Sequence, residues 1–561
     1  MVKLNLKEIF VNRFQKFTWK HFPSHKDLFL CFLSGVLFSS TFHSLNFLPQ
    51  WFRNFNFILL SPLFFSLMNL NKIHKTKVRI FHFIVLVFIF SFPLEFIGFT
   101  WIFTSIKYFF GYSTLLTSLV YFLICSLSCI YYLFLLSPFF ILSQFKKDKY
   151  FKIIYLFIIS ILMATLEHIY PRLSNWYFGY SFYYNINLSQ IASILGSYGL
   201  SFILFYSNLS FSFLFYSKTN LSSILYKKSY INLGVLSSFI IILNIISPYI
   251  FITNDNKFIK IGFIQPNFTV IQINNDLTID QDKKQENLEK LLINLDNPKL
   301  DLIILPESAI YYQFGFSPEK MTDIVNTSKK LQTPILLQSV LPSDSKENLR
   351  FKNKYSDIIE IEAAESKSFV IYPNGNTSNF YTKWKLMPLG EELPFSHLFP
   401  KIADKYLIET KQTIKLLNGN KAIPLNFKNY KIGIFICYDS IDESLSNLLS
   451  QNGAQFFVNQ SNFLWMAKSN ATFVFSIINQ FKAIETNKSL LFLTNNGPTL
   501  LFNKNGEVIF NNKTIFSQNA GYLEIPVNQD ISFYSKYFLE IKYIFVLISI
   551  ICLILFFRKL I

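Results

Sequence analysis

Eight apolar runs dominate this chain, and they leave one long polar block between the last two. The runs lie near 28–48, 54–71, 80–103, 113–144, 151–170, 188–217, 231–253 and 540–557. Crossing a hydrocarbon core takes roughly 20 apolar residues, so each is long enough or nearly so; the second is short and the fourth long. With 51% hydrophobic residues, 67 of them Phe, the chain is too apolar for a single soluble globule. The expectation is a polytopic α-helical membrane protein of about eight spans carrying an inserted polar domain. It divides into 1–256 (about seven spans), 257–530, and 531–561 (the last span and a short tail).

The formal charge of +18 invites a nucleic-acid reading, but its distribution opposes one. Residues 257–530 hold 28 Lys+Arg against 27 Asp+Glu, so nearly all the excess lies among the apolar runs. Basic residues flanking apolar spans mark membrane topology rather than a groove for phosphates. One set of flanks carries Lys3, Lys7, Arg13, Lys16, Lys20 and Lys26, then Lys72, Lys75, Lys77 and Arg79. It continues through Lys146, Lys147, Lys149 and Lys152 to Lys218, Lys227 and Lys228, and ends with Arg558 and Lys559. The other short loops carry only Arg53, Lys107 and Arg172. The positive-inside rule then puts both termini in the cytoplasm and residues 257–530 outside. No small-residue cleavage site follows the first run, so a cleaved signal peptide is not expected.

Within 257–530, short apolar runs alternate with polar helical stretches, the pattern of an α/β domain. Strands are expected at Phe258–Ile264, Leu300–Leu305, Pro334–Val340, Phe369–Tyr372, Tyr430–Cys437, Gln455–Asn459 and Ser489–Thr494. A hairpin, Leu500–Asn503 with Glu507–Asn511, turns at Asn505-Gly506. Helices are expected near 281–296, 318–331, 442–452 and 470–487. The stretch 391–430 lacks strong periodicity and reads equally as a lid or as an inserted surface loop.

Of five cysteines, Cys31, Cys125, Cys129 and Cys552 lie in apolar runs; Cys437 alone lies in the polar block, where an apolar strand ends. An unpaired cysteine at a strand end fits a nucleophile, although a buried structural Cys would read the same way. Two further patterns accompany Ile436-Cys437-Tyr438-Asp439. They are Leu305-Pro306-Glu307-Ser308-Ala309, after a strand, and Tyr381-Thr382-Lys383-Trp384-Lys385-Leu386-Met387-Pro388-Leu389-Gly390-Glu391. Each is weak alone. In this order they resemble the Glu-Lys-Cys triad of the nitrilase (carbon–nitrogen hydrolase) superfamily. With seven spans before the domain and one after, the chain resembles one branch of it, the bacterial apolipoprotein N-acyltransferases. Gly196-Ser197-Tyr198-Gly199-Leu200-Ser201-Phe202, Ser461-Asn462 with Trp465, Ala483-Ile484-Glu485 and Thr494-Asn495-Asn496-Gly497 strengthen the resemblance.

The resemblance implies a nitrilase-like αββα sandwich with Cys437 as nucleophile, Glu307 as general base and Lys383 as the cation beside the oxyanion. The Tyr-x-Lys register favours Lys383 over Lys385. Glu391, Tyr438, Asp439, Asn462 and Trp465 would support the site or contact substrate; Asp439 stands where the family commonly has Glu. The implied reaction moves an acyl chain from a membrane phospholipid through a Cys437 thioester to the N-terminal amine of a diacylglyceryl-cysteine apolipoprotein. It implies a monomer in the bacterial cytoplasmic (inner) membrane with a periplasmic catalytic domain. No cofactor or metal is called for; the sequence shows neither a phosphate-cradling Gly loop nor a metal-ligand cluster. Competing readings are a membrane-tethered nitrilase-type amidase that gives its acyl group to water, and a non-catalytic scaffold.

The chain departs from the family at Ile273-Asn274, where a Lys-Trp pair is common, at Glu365-Ser366-Lys367, and at Lys482, where arginine is usual. Inside the apolar runs, Glu95 and Glu167 are costly unless partnered. They read as packing or interface contacts ahead of headgroup contacts. Trp101, Trp176 and the tyrosines near 177–184 read as an interfacial belt.

Overall fold

The computed structural model describes residues 22–41, 50–143, 153–172, 175–220, 223–251, 257–268, 286–295, 299–310, 318–343, 349–352, 358–388, 390–393, 396, 398, 399, 401, 402, 405, 414–466, 469–512 and 515–558. Among these, five helices are long and apolar enough to cross a bilayer: Thr76–Gly98, Thr114–Leu135, Ala192–Thr219, Ser223–Ile250 and Phe538–Arg558. The apolar helix Ile153–Ile169 is shorter, at 17 residues. The first two expected spans differ from the reading. The first contains a 15-residue helix, His25–Ser39, capped at Ser40, and residues 42–48 of that expected run lie outside the described residues. The second breaks into Asn56–Leu59 and Ser61–Met68. Pro62 explains the break, because it lacks an N–H and suits only a helix's first turn.

Small residues set how closely these helices pack. A Cβ on Gly35 would lie 2.2 Å from the Phe90 carbonyl oxygen, so only glycine permits this crossing of His25–Ser39 with Thr76–Gly98. The helix containing Gly196 has a kink there, with φ +63° and ψ −166°. This backbone region is nearly exclusive to glycine. The ring of Tyr534 fills the space, 2.3 Å from where a Cβ would sit, and its hydroxyl donates to Glu443 Oε1 at 2.9 Å. Gly196 therefore joins the membrane helices, the polar domain and the segment leading into the last helix. Gly196→Ala is expected to destabilise the protein by about 2–4 kcal/mol, combining backbone strain with overpacking. A thermal melt in detergent checks this; an unchanged midpoint would mean that the kink relaxes freely.

The polar domain contains two sheets. The first holds β1 (Phe258–Gln265), β2 (Leu302–Ile304), β3 (Ile335–Pro342), β4 (Leu349–Lys352), β5 (Ile358–Ile371), β6 (Tyr381–Thr382), β7 (Ile414–Leu417) and β14 (Asn519–Pro526). Its path runs β14-β1-β2-β3-β5-β4, with β6 and β7 also on β5; β1, β2 and β3 are parallel. The second comprises β8 (Leu425–Phe427), β9 (Tyr430–Ile436), β10 (Phe456–Ser461), β11 (Leu490–Thr494), β12 (Thr499–Phe502) and β13 (Val508–Asn512), with β9, β10 and β11 parallel.

Alternation of side chains assigns the faces. Ile259, Ile261, Phe263, Leu302, Ile304, Leu336 and Val370 join the core shared with the second sheet. Ile264, Ile303, Ile335, Leu337, Phe369 and Ile371 point the other way, onto Leu288, Leu292 and Ile324 of the covering helices. Helices Glu443–Gln451 and Ala471–Thr486 pack on the second sheet. The result is the expected αββα sandwich.

The belt reading fails for the tryptophans. Trp101 and Trp176 are 8% and 4% exposed, and Tyr177, Tyr180 and Tyr183 are also buried. They lie where helices meet the polar domain: Trp101 packs edge-on against Phe475, and Tyr180 stacks on Phe481. Glu167 accepts the Phe178 N–H at 2.5 Å, and Glu95 accepts the Tyr132 hydroxyl at 2.6 Å. Both carboxylates thus have neighbours.

Candidate active site

Parallel strands place their following loops on one edge, where α/β sheets present reactive groups. Glu307 follows β2, Cys437 follows β9, Asn462 follows β10 and Lys383 follows β6. The structure brings all four together. Lys383 Nζ lies 3.1 Å from Glu307 Oε1 and 2.7 Å from Glu391 Oε1. The Asn462 N–H donates to Glu307 Oε2 at 3.1 Å, and the Cys437 thiol lies within electrostatic reach of the same carboxylate. All three triad candidates are buried: Lys383 is 1% exposed, Cys437 5% and Glu307 8%.

Cys437 opens a short 3₁₀ turn with φ +53°, and Ser308, next to Glu307, has φ +55°. Positive φ is strained for a side chain other than glycine, and nucleophiles are often presented on such turns. The surroundings maintain the strain. Asp439 Oδ2 accepts the Ile436 N–H at 3.0 Å and the Tyr381 hydroxyl at 2.7 Å, while Oδ1 accepts the Lys385 N–H at 2.7 Å. Tyr381 and Lys385 flank Lys383, so one carboxylate ties the cysteine turn to both sides of the lysine segment. Asp439, shorter than the family's usual Glu, reaches all three donors. Ser308 is held by its N–H to Gln338 Oε1 at 2.9 Å, a contact that no motif indicated.

Burial and charge set the protonation states. Burial pushes the Glu307 carboxyl above its ordinary range, against the opposing pull of Lys383. Burial, then the Glu307 charge, holds the Cys437 thiol well above its ordinary value, so it rests protonated. Burial opposes the Lys383 charge, but Glu307 and Glu391 outweigh it and keep the ammonium well above its usual range. Asp439 is pushed up to about 7 by burial. A neutral thiol thus faces a basic carboxylate beside a persistent cation.

The remaining expected residues divide. Glu391 accepts Lys383 on one oxygen and the Met387 N–H on the other, at 2.7 Å. Tyr438 is buried beside the cysteine, with Lys385 Nζ 6.0 Å over its ring, so Lys385 is not the buried cation. Asn462 Oδ1 accepts from Leu464 N and Asn495 Nδ2, both at 3.2 Å. The Trp465 side chain and Ile273-Asn274 lie outside the described residues. Lys482 pairs with Glu485 at 2.9 Å, away from the triad, and Lys367 pairs with Glu365 at 2.6 Å.

A cavity of ≈ 680 Å³ opens on Cys437, Glu307, Lys383 and Tyr438. Its opposite wall belongs to the membrane helices and includes Trp101, Ile102, Ile106, Ile124, Tyr131 and Arg172. These residues lie 135 or more positions from the triad in sequence, and no local motif pointed to them.

Residues 34–210 match the family model described as apolipoprotein N-acyltransferase N-terminal domain, and residues 268–527 match carbon–nitrogen hydrolase. The chain is 26% identical over 277 residues to an apolipoprotein N-acyltransferase of Borreliella burgdorferi, covering 48% of this chain and 50% of that one. It is 25% identical over 340 residues to apolipoprotein N-acyltransferase 1 of Treponema denticola, covering 57% and 61%. An Aquifex aeolicus apolipoprotein N-acyltransferase is 27% identical over 254 residues, covering 45% and 51%. The chain spans about half to three-fifths of the length of these curated relatives. The chain thus combines a match to that N-terminal domain with a match to carbon–nitrogen hydrolase, and it is similar to apolipoprotein N-acyltransferases.

Proposed function

We propose that this protein transfers an acyl chain from a membrane phospholipid to the N-terminal amine of a diacylglyceryl-cysteine apolipoprotein. The supporting observation is the shared cavity: a buried Cys-Glu-Lys cluster faces membrane helices rather than open solvent. In the first half, Cys437 Sγ attacks the ester carbonyl carbon while Glu307 takes the thiol proton. Lys383 stabilises the oxyanion. Collapse breaks the ester C–O bond, and Glu307 returns the proton to the departing lysophospholipid oxygen. In the second half, the amine attacks the thioester and gives its proton to Glu307. The C–S bond breaks, and that proton restores the thiol. Glu391 and Asp439 hold Lys383 and the cysteine turn, and Asn462 holds Glu307.

On this reading, residues 1–256 are the membrane domain, 257–530 the catalytic domain, and 531–561 the closing span and tail. The charge bias supports a catalytic domain on the periplasmic side of an inner membrane. Most of 394–413, the centre of the expected lid, lies outside the described residues.

Intact mass after incubation with phospholipid alone tests the proposal. Wild type should gain one acyl mass, removable by hydroxylamine, and Cys437→Ala should gain none. Adding a diacylglyceryl-cysteine peptide should discharge the adduct with N-acylation of the peptide. Discharge to free fatty acid at the same rate with and without peptide would establish a hydrolase instead. No adduct on folded wild type would remove the phospholipid donor.

A further inference from the structure

One carboxylate that the triad chemistry does not use joins the two walls of the cavity. The turn opened by Cys437 ends at Ile441, and Asp442 caps the helix that follows, Glu443–Gln451. Asp442 Oδ1 accepts the Ser444 and Leu445 N–H groups at 2.9 and 3.0 Å, so turn and helix form one rigid unit. Glu443 is the first residue of that helix. Its Oε2 accepts the Tyr177 hydroxyl at 3.2 Å and its Oε1 the Tyr534 hydroxyl at 2.9 Å. Among the described residues, no cation forms a direct ion pair with Glu443. Lys482, the cation that acts on it most, pairs with Glu485 at 2.9 Å instead.

Both tyrosines are buried and belong to segments on the membrane side. Tyr177 lies between Trp176 and Phe178, two residues of the cavity's helix wall. Its ring stacks on His168 with centres 4.1 Å apart. His168 in turn stacks on Tyr198 at 3.5 Å and shares a hydrogen bond with Ser197 Oγ at 2.8 Å. Tyr534 fills the Gly196 kink. Further along the same helix, Asn447 Oδ1 accepts the Ser535 hydroxyl at 2.6 Å, and Gln451 Nε2 donates to the Ser535 carbonyl oxygen at 2.8 Å. Those contacts fasten the helix to the segment entering the last span. Among them, the Glu443–Tyr177 bond is the one that reaches the cavity wall.

We propose that Glu443 sets the spacing between the nucleophile turn and the helix wall, as a positioning residue for long acyl chains. A hydroxyl bonded to a carboxylate is a short, directional link, suited to holding two segments in register. A short acyl group needs only the triad. A long one lies between sandwich and helices while its carbonyl carbon meets Cys437 Sγ, so its angle of attack depends on both walls at once. This deepens the acyl-donor reading and rests on it for the identity of the natural donor. Glu443 touches neither Sγ nor the proton relay and acts through the turn it follows.

The test follows the Cys437 thioester by intact mass on the full chain, with p-nitrophenyl acetate as the short donor and p-nitrophenyl palmitate as the long one. With either, Sγ bonds the carbonyl carbon, the ester C–O bond breaks, p-nitrophenolate departs and Glu307 takes the thiol proton. Glu443→Gln keeps the shape and removes the charged acceptor. Tyr177→Phe keeps the stack on His168 and removes the hydroxyl. Each should slow palmitoylation about 30-fold, below the roughly 100-fold that a misplacement of about 1 Å can cost, and leave acetylation close to wild type. The double variant should be no slower than Glu443→Gln alone, because the second change removes a partner already lost. Equal losses with the two esters would mean a general loss of structure and overturn the proposal, as would unchanged palmitoylation. If Glu443→Gln does not fold, Tyr177→Phe decides by the same two criteria. If wild type accepts palmitate from the ester in a Glu443-dependent way but nothing from phospholipid, the donor reading falls and the spacing role stands. If it is acylated by phospholipid and neither variant slows palmitoylation, the spacing role falls and the donor reading stands.

Discussion

Glu307→Gln should slow acylation of Cys437 by about 10³-fold, within the range for loss of a positioned general base. Glutamine keeps the shape and can still accept from Asn462, so folding should survive. The pH profile carries the sharper information. Burial raises the Glu307 carboxyl above its ordinary 4.5, and the reaction needs its ionised form. Acylation by wild type should therefore fall as pH drops through that raised value, at a higher pH than a free carboxyl would set. The Cys437 thiol, held well above its ordinary value, contributes no second fall on the acid side. In the Gln variant this acid limb should disappear, leaving a slow rate that rises with pH as thiolate forms unaided. Quenched-flow intact mass from about pH 4 to about pH 9 would show it. An identical acid limb in the variant would mean that another group accepts the proton.

Lys383→Met should have the other large effect, on stability and chemistry together. Lys383 lies between Glu307 and Glu391 at 3.1 and 2.7 Å. Removing it leaves two carboxylates with no cation between them, and breaking a buried ion pair from one side costs about 3–5 kcal/mol. Acylation should also fall about 10³-fold through loss of oxyanion stabilisation. The double variant Lys383→Met/Glu391→Gln separates the two roles. It should recover much of the melting temperature by relieving carboxylate repulsion, while acylation stays low. Recovery of both would make Lys383 purely structural.

Glu307 and Cys437 were legible because each follows a strand whose apolar run is dense. Leu302–Leu305 and Ile432–Ile436 announce buried strands, and the first chemically reactive side chain after each run is the one presented. The choice of Lys383 over Lys385 depended on a family register, and the geometry agrees with it. Short edge strands were not legible. Ile414–Leu417 and Leu425–Phe427 fall in a stretch that reads as irregular because they are brief, the first held by the distant β5 and the second by a tight hairpin with β9. The first half of β5, Ile358–Glu365, mixes glutamates with apolar residues and was not among the expected strands. The tryptophans were misassigned for a related reason. Composition places an aromatic near a bilayer boundary, but it does not distinguish a lipid-facing ring from one packed against Phe475. The far cavity wall was invisible because it exists only after two distant parts of the chain dock.

That divided cavity separates two jobs that a soluble enzyme must perform with one scaffold. The sandwich holds the nucleophile, base and cation through Asp439, Asn462 and Gln338, all within its own strands and turns. The helices provide the opposite wall. Substitutions there can retune which molecules are admitted without disturbing a proton relay anchored elsewhere. The sandwich, in turn, can conserve its chemistry while the bilayer around its neighbour changes composition. Substrate range and catalytic power can then drift independently along the same polypeptide.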